Sequence, residues 1–288
     1  MANSSRREFA IHSAALLPLA RTAFAMDKLQ ASDLGVQLYT VRKVITKNPA
    51  ATLKSIQSIG YTEVEATYDN LSQIWSALKQ TNLRPVSIHL EEALFMEGGA
   101  ALDSVLKDLK RRGFEYVVAP SLPTAKGGAD GIKRLAQMLN RGGEQAKRRG
   151  LTLCYHNHAH DFQPINGVPA LEMLLDETQK NLVFLEMDIF WVTEAGHDPA
   201  QMLKTHAGRV PLMHLKDRAK GTPTEFNEDV PKDAFKEVGG GGIDIPAVLK
   251  AADAAGVKHY FVEQDETPGD PLATLRQSYR YLSSLFKG

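Results

Sequence analysis

From residue 34 onward, short runs of alternating apolar and polar residues give way to longer runs with helical spacing, and the pair repeats to the end of the chain. Alternation predicts strands over residues 34–39, 62–65, 84–90 and 116–119, within 151–161 (with His160 and Asp161 past the strand end), and over 182–188, 210–217 and 260–265. In the third of these, Val86, Ile88 and Leu90 lie opposite Ser87 and His89. Helical spacing predicts helices over 48–59, 71–81, 101–112, 131–149, 170–178, 199–206, 246–255 and 271–285. Three of these start with an aspartate just before a proline: Asp198, Asp244 and Asp270. Strict strand–helix alternation over residues 26–288 predicts a single α/β domain, a (β/α)8 TIM barrel. A doubly wound open sheet would carry a glycine-rich turn after its first strand, and Thr40-Val41-Arg42 stands there instead.

Residues 1–25 do not follow this pattern. Arg6-Arg7 followed by Glu8-Phe9, an apolar stretch over 14–20, and Ala23-Phe24-Ala25 occur in the order of a twin-arginine signal and its cleavage site. The expectation is export to the periplasm. Removing that segment takes Arg6, Arg7, Arg21 and Glu8 from 34 basic and 34 acidic residues, leaving a formal charge of −2. Such a surface has no basic footprint for nucleic acid. No apolar run in the mature chain is long enough to span a bilayer. Cys154 is the only cysteine, so no internal disulfide can form even in an oxidising compartment.

Chemistry concentrates at the C-terminal ends of the last four strands. LTLCYHNHAHD (151–161) ends in His156, His158 and His160 at every second position. LVFLEMD (182–188) ends in Asp188, VPLMHLKD (210–217) carries His214, and YFVEQD (260–265) carries Glu263. Parallel strands that aim imidazoles and carboxylates at one end of a barrel point to a metal site at its mouth.

These segments, together with GVQLYTVR (35–42), GYTEVE (60–65), HLKD (214–217) and GGGGID (239–244), resemble the xylose isomerase-like barrels. That group of sugar-phosphate isomerases and epimerases includes tagatose-type epimerases and inosose dehydratases. The resemblance implies one divalent ion, manganese foremost (Mg, Co, Fe and Zn being the others), held by His156, Asp188, His214 and Glu263. It implies a carbohydrate or polyol substrate that loses a proton next to a carbonyl. Epimerase relatives generally carry glutamate where this chain has His156, so the expected isomerase or epimerase activity has a rival in keto-sugar dehydration or 3-keto-glycoside lysis.

Glu263 is the expected base, with His158 and Lys216 as further catalytic candidates; an ion pair between Lys216 and Glu186 is the structural alternative. Glu65, His89, Trp191 and Gln37 are expected to contact substrate, and Gly239–Gly242 to form either a phosphate cradle or a hinge. The abasic-site endonuclease branch of the fold needs a basic face that the composition does not supply. A sugar-binding barrel without catalysis and a homodimer are further expectations left open.

Overall fold

The structure is a computed structural model, and it describes residues 34–285 apart from 121 and 123–125. The expected export signal lies outside the described residues. Eight strands form a closed parallel barrel: β1 (Leu34–Gln37), β2 (Glu63–Thr67), β3 (Arg84–His89), β4 (Tyr116–Pro120), β5 (Thr152–His156), β6 (Val183–Asp188), β7 (Leu212–Leu215) and β8 (His259–Val262). The main helices between and after them are α1 (Pro49–Ile59), α2 (Tyr68–Leu78), α3 (Gly99–Arg112), α4 (Gly128–Arg148), α5 (Ala170–Glu177), α6 (Pro199–Thr205), α7 (Ile245–Ala255) and α8 (Pro271–Leu285). The ring closes through β1 and β8, where Leu34 pairs with Tyr260 and Val36 with Val262. Among the described residues no helix is long and apolar enough to cross a membrane.

Every strand is buried on both sides, the condition that parallel sheets impose. The outward set, including Val36, Val64, Ile88, Val117, Leu153, Leu185 and Leu215, packs under the helices. Inside the barrel, Val86, Tyr116, Val118, Cys154, Leu212 and Phe261 form a separate apolar plug. Gly35 sits where this plug leaves no room: a Cβ there would come within 2.5 Å of the Phe261 ring. Val86 corrects the sequence expectation, which set it outward with Ile88 and Leu90. The β2–β3 register slips here, with Val64 opposite Pro85 but Glu65 opposite Ser87. The extra residue is Val86, and such a bulge turns its side chain to the other face.

Below the plug, Glu63 pairs with Arg84 and with His259 Nδ1 (2.8 Å) at the N-terminal end of the barrel. Above it, at the C-terminal end, the histidines and carboxylates begin. Two short antiparallel ribbons decorate that upper face, Pro164–Ile165 with Val168–Pro169, and Asp217–Arg218 with Phe235–Lys236. The second ribbon and a short turn (Lys232–Ala234) give structure to the long connection after β7, which the sequence showed only as a loop.

Candidate metal centre and cavity

Asp188 ends β6 and begins a short helix (Ile189–Glu194) that hydrophobic spacing alone did not reveal. Its Oδ1 accepts hydrogen bonds from the backbone N–H groups of Phe190 (2.8 Å) and Trp191 (3.1 Å), a cap on the helix start. Its Oδ2 is buried and has no hydrogen-bond partner. One oxygen therefore fixes the side chain while the other is presented inward. Asn157, the N of the YHNH run, holds this strand end from the neighbouring strand. Its Oδ1 accepts from Asp188 N (3.0 Å) and its Nδ2 donates to Asp188 O (3.3 Å).

Around Asp188 Oδ2 stand His156 Nε2 at 3.8 Å and His214 Nδ1 at 3.7 Å. His214 Nδ1 is also 2.8 Å from Glu263 Oε2. The structure thus brings Asp188, His214 and Glu263 into one group of potential ligand atoms, with His156 beside it through the 3.8 Å approach to Asp188. A divalent ion with bonds of about 2.1 Å has neighbouring ligand atoms about 3.0–3.4 Å apart, and the observed separations bracket that range. The donor set, two imidazoles and two carboxylates, suits a borderline divalent ion. His214 Nδ1 and Asp188 Oδ2 are buried and lie against Glu263 (2.8 Å) and Lys216 (2.9 Å), close contacts that satisfy no hydrogen-bond geometry. The residues present fit the group.

A second set lies deeper: His89, His156, Glu186 and His214 also meet in one potential ligand group. Glu186 Oε2 is 2.9 Å from His89 Nε2, 3.1 Å from His156 Nδ1 and 3.4 Å from His214 Nε2. Glu65 Oε1 reaches His214 Nε2 (2.5 Å) and His89 Nε2 (3.1 Å), and accepts from Gln37 Nε2 (3.0 Å). Glu65 was expected to bind a substrate hydroxyl; it is fully buried under the histidines and does not line the cavity. Burial lowers the His89 pKa, but Glu65 and Glu186 outweigh it and raise the group to about 10. His89 therefore faces the cavity as a cation.

The cavity itself, about 530 Å³, opens at the barrel mouth. Its walls include Gln37, His89, His158, Trp191, Lys216 and Glu263, with Arg42, Glu228, Asp265 and Glu266 toward the rim. Lys216, expected as a catalytic candidate, lines the cavity, and the structural alternative offered for it is not what the structure shows. Its Nζ pairs not with Glu186 but with Glu263 Oε2 (2.8 Å), Asp188 Oδ2 (2.9 Å) and Asp265 Oδ1 (2.9 Å). Burial would raise the Glu263 pKa, yet Lys216 and His214 hold it well below the usual carboxylate range. For Asp265 burial wins over Lys216, and the pKa rises to about 7. His158 is pushed down by burial to about 4 and so is neutral; its Nδ1 and the Trp191 indole N–H are buried without partners beside the cavity.

Sequence reasoning did not pick out Asp265 or Asn157, and treated Glu186 only as a lysine partner. The available signal was parity: Glu186 shares its strand face with Asp188, and Asp265 shares one with Glu263. The glycine run proves to be no phosphate cradle. Gly239 N (2.9 Å), Gly241 N (3.0 Å) and Ile243 N (3.1 Å) all donate to the buried Asp217 carboxylate, so the loop already encloses its anion.

The family model for xylose isomerase-like TIM barrels matches residues 53–285. The chain belongs to that family. Among curated proteins it is similar to the inosose dehydratase of Clostridium perfringens, 32% identical over 160 residues, covering 52% of this chain and 53% of that protein. The inosose dehydratase of Geobacillus thermodenitrificans is 29% identical over 154 residues, 50% of this chain and 51% of that one. The matches span about half the length of these relatives. Among solved structures, a sugar phosphate isomerase/epimerase from Parabacteroides distasonis superposes with a TM-score of 0.71 at 22% identity, covering 91% of this chain and 97% of that one. The IolI protein with a bound zinc atom superposes with a TM-score of 0.68 at 18% identity, covering 88% and 98%. At those identities the structural likenesses show the shared fold.

Proposed function

We propose that this xylose isomerase-like barrel is a divalent-metal-dependent enzyme that removes a proton next to the carbonyl of a keto-polyol or ketose and completes a dehydration. The observation that carries this reading is the placement of Glu263 and Asp265 across the cavity from the imidazoles. Glu263 and Asp265 both lean on Lys216 at the β8 side of the cavity. The strands across the barrel, β3 and β5, present imidazoles from His89 and His156, with His158 just beyond the end of β5. That layout supplies a base on one side and a proton donor on the other.

His156, Asp188, His214 and Glu263 would hold the ion. When bound, it supplies Lewis-acid polarisation of substrate oxygens and stabilises the negative charge that builds up on the carbonyl. The protein's own groups do the rest. Glu263, kept anionic by Lys216, takes the proton from the carbon beside the ketone, and the C–H electron pair becomes the enolate double bond. Collapse of the enolate back to the ketone expels the hydroxyl from the next carbon. His89, kept protonated by Glu65 and Glu186, delivers the proton that turns this hydroxyl into water. Trp191 N–H would donate a hydrogen bond to a substrate hydroxyl oxygen, and His158 Nδ1 would accept one from a substrate hydroxyl; both are buried and unpartnered. The inosose dehydratase relatives support the same class of reaction.

Isomerisation or epimerisation is the second reading, and His158 favours it: a neutral imidazole across the cavity from Glu263 can serve as a second base. The test is incubation of the manganese-loaded protein with keto-inositols, ketoses and 3-keto-glycosides in deuterated water, followed by proton NMR. Loss of one water per turnover is expected. Deuterium incorporation or epimer formation without loss of water would replace the dehydratase with the isomerase reading, and no exchange on any member would overturn both.

A further inference from the structure

The buried carboxylates Glu65 and Glu186 enter the chemistry above only through His89, yet they meet at the barrel axis from strands that face each other across the ring, β2 and β6. Burying two carboxylates is costly unless their partners compensate them. Their contacts divide by atom. His156 turns Nδ1 to within 3.1 Å of Glu186 Oε2, a close charge contact without hydrogen-bond geometry, and Nε2 up toward Asp188 Oδ2 (3.8 Å). His214 is arranged the other way round, with Nε2 down to Glu65 Oε1 (2.5 Å) and Nδ1 up toward Asp188 and Glu263. An imidazole whose lower nitrogen donates to a carboxylate has its lone pair on the upper one.

We infer that Glu65 and Glu186 are positioning residues that form a carboxylate floor under the metal centre, Glu186 fixing His156 to ligate through Nε2 and Glu65 fixing His214 to ligate through Nδ1. The inference rests on the metal reading above and adds to it two residues and two tautomers. The floor also ties the centre to the cavity wall, because His89 Nε2 lies 2.9 Å from Glu186 Oε2 and 3.1 Å from Glu65 Oε1. A ligand that pulls on His89 therefore pulls on both carboxylates that orient the metal-binding imidazoles.

The test is zinc titration and 15N NMR of histidine-labelled full-length protein, as wild type, Glu186→Gln and Glu65→Gln. In the zinc-loaded wild type, His156 should show a protonated Nδ1 and a metal-bound Nε2, and His214 the reverse. Each isosteric substitution should weaken zinc binding by about 10- to 100-fold. Glu186→Gln should perturb the His156 N–H resonance more than that of His214, from which it stands 3.4 Å away, and Glu65→Gln should perturb that of His214. Thermal melting of the metal-free variants shows whether they fold. Unchanged affinity and tautomers in folded variants would overturn the floor while leaving the metal site standing. Zinc on the lower nitrogens would place the ion in the deep set and overturn it too. A wild type that binds no zinc would remove the metal reading itself, and the inference with it.

Discussion

At the scale of single residues, His156 carries the mechanistic distinction. It stands at the end of β5, where the resemblance to epimerases implies a glutamate, and in this chain it lies against Asp188 above and Glu186 below. Replacing it with glutamate adds a negative charge to a region that already holds Glu65, Glu186, Asp188, Glu263 and Asp265. For a dehydratase with Glu263 as its base, the added carboxylate brings no needed group and weakens the pull on the substrate carbonyl. His156→Glu should slow turnover by on the order of 100-fold with metal content held equal to wild type. Turnover at or above the wild-type rate in a fully metallated variant would return a two-base epimerase to first place. Residue types and parity placed His156, Asp188, His214 and Glu263 together at one end of the barrel from the sequence. They could not reveal the partner of Lys216, because its long side chain passes Glu186 and reaches Glu263 and Asp265, residues beyond the last pairing of β8.

At the scale of elements, the connection after β7 is held by two separate fastenings. Asp217 gathers the amides of Gly239, Gly241 and Ile243 and is itself buried. Gly241 must lack a side chain, since a Cβ would come within 2.2 Å of the Asp217 carboxylate and 2.4 Å of Arg218 O. Asp217→Ala orphans four amides at once, Arg218 N among them, and should cost about 2–4 kcal/mol in chemical denaturation; a loss below about 0.5 kcal/mol would mean that water replaces the carboxylate. The glycine run was legible as special but not as closed, because the aspartate that fills it lies outside the run.

The second fastening joins His160 Nδ1, just past β5, to Glu228 (2.9 Å) at the cavity rim. Burial lowers the His160 pKa, but the Glu228 hydrogen bond and Asp161 outweigh it, and the group rises to about 9. A raised folded-state pKa makes this contact fully stabilising below the unfolded value of about 6.5, with the contribution lost as pH climbs through about 9. Glu228 is partly exposed, so the effect should be near 1 kcal/mol after solvent screening. Denaturation of wild type and Glu228→Gln should differ at pH 6 and converge above pH 9.5. A gap that persists at high pH would show that the contact is not ionic.

At the scale of the whole molecule, the barrel was legible because its strands alternate where the interior is narrow and its helices begin at marked aspartates and prolines. Depth inside the barrel was not. Whether Glu65 reaches the cavity or the axis depends on the shear that sets β2 against β7, and Val86 on a bulge, and neither leaves a mark in local spacing. The central claim is that His156, Asp188, His214 and Glu263 form one metal centre at the mouth of this barrel. Metal analysis by mass spectrometry, after stripping with chelator and reloading with manganese, tests it directly when wild type and Asp188→Asn are compared over a titration. The account predicts one equivalent in the wild type and affinity weakened more than about 100-fold in the variant, which loses an anionic ligand. A wild type that takes up no metal, or an Asp188→Asn protein that keeps a full equivalent at wild-type affinity, would contradict it.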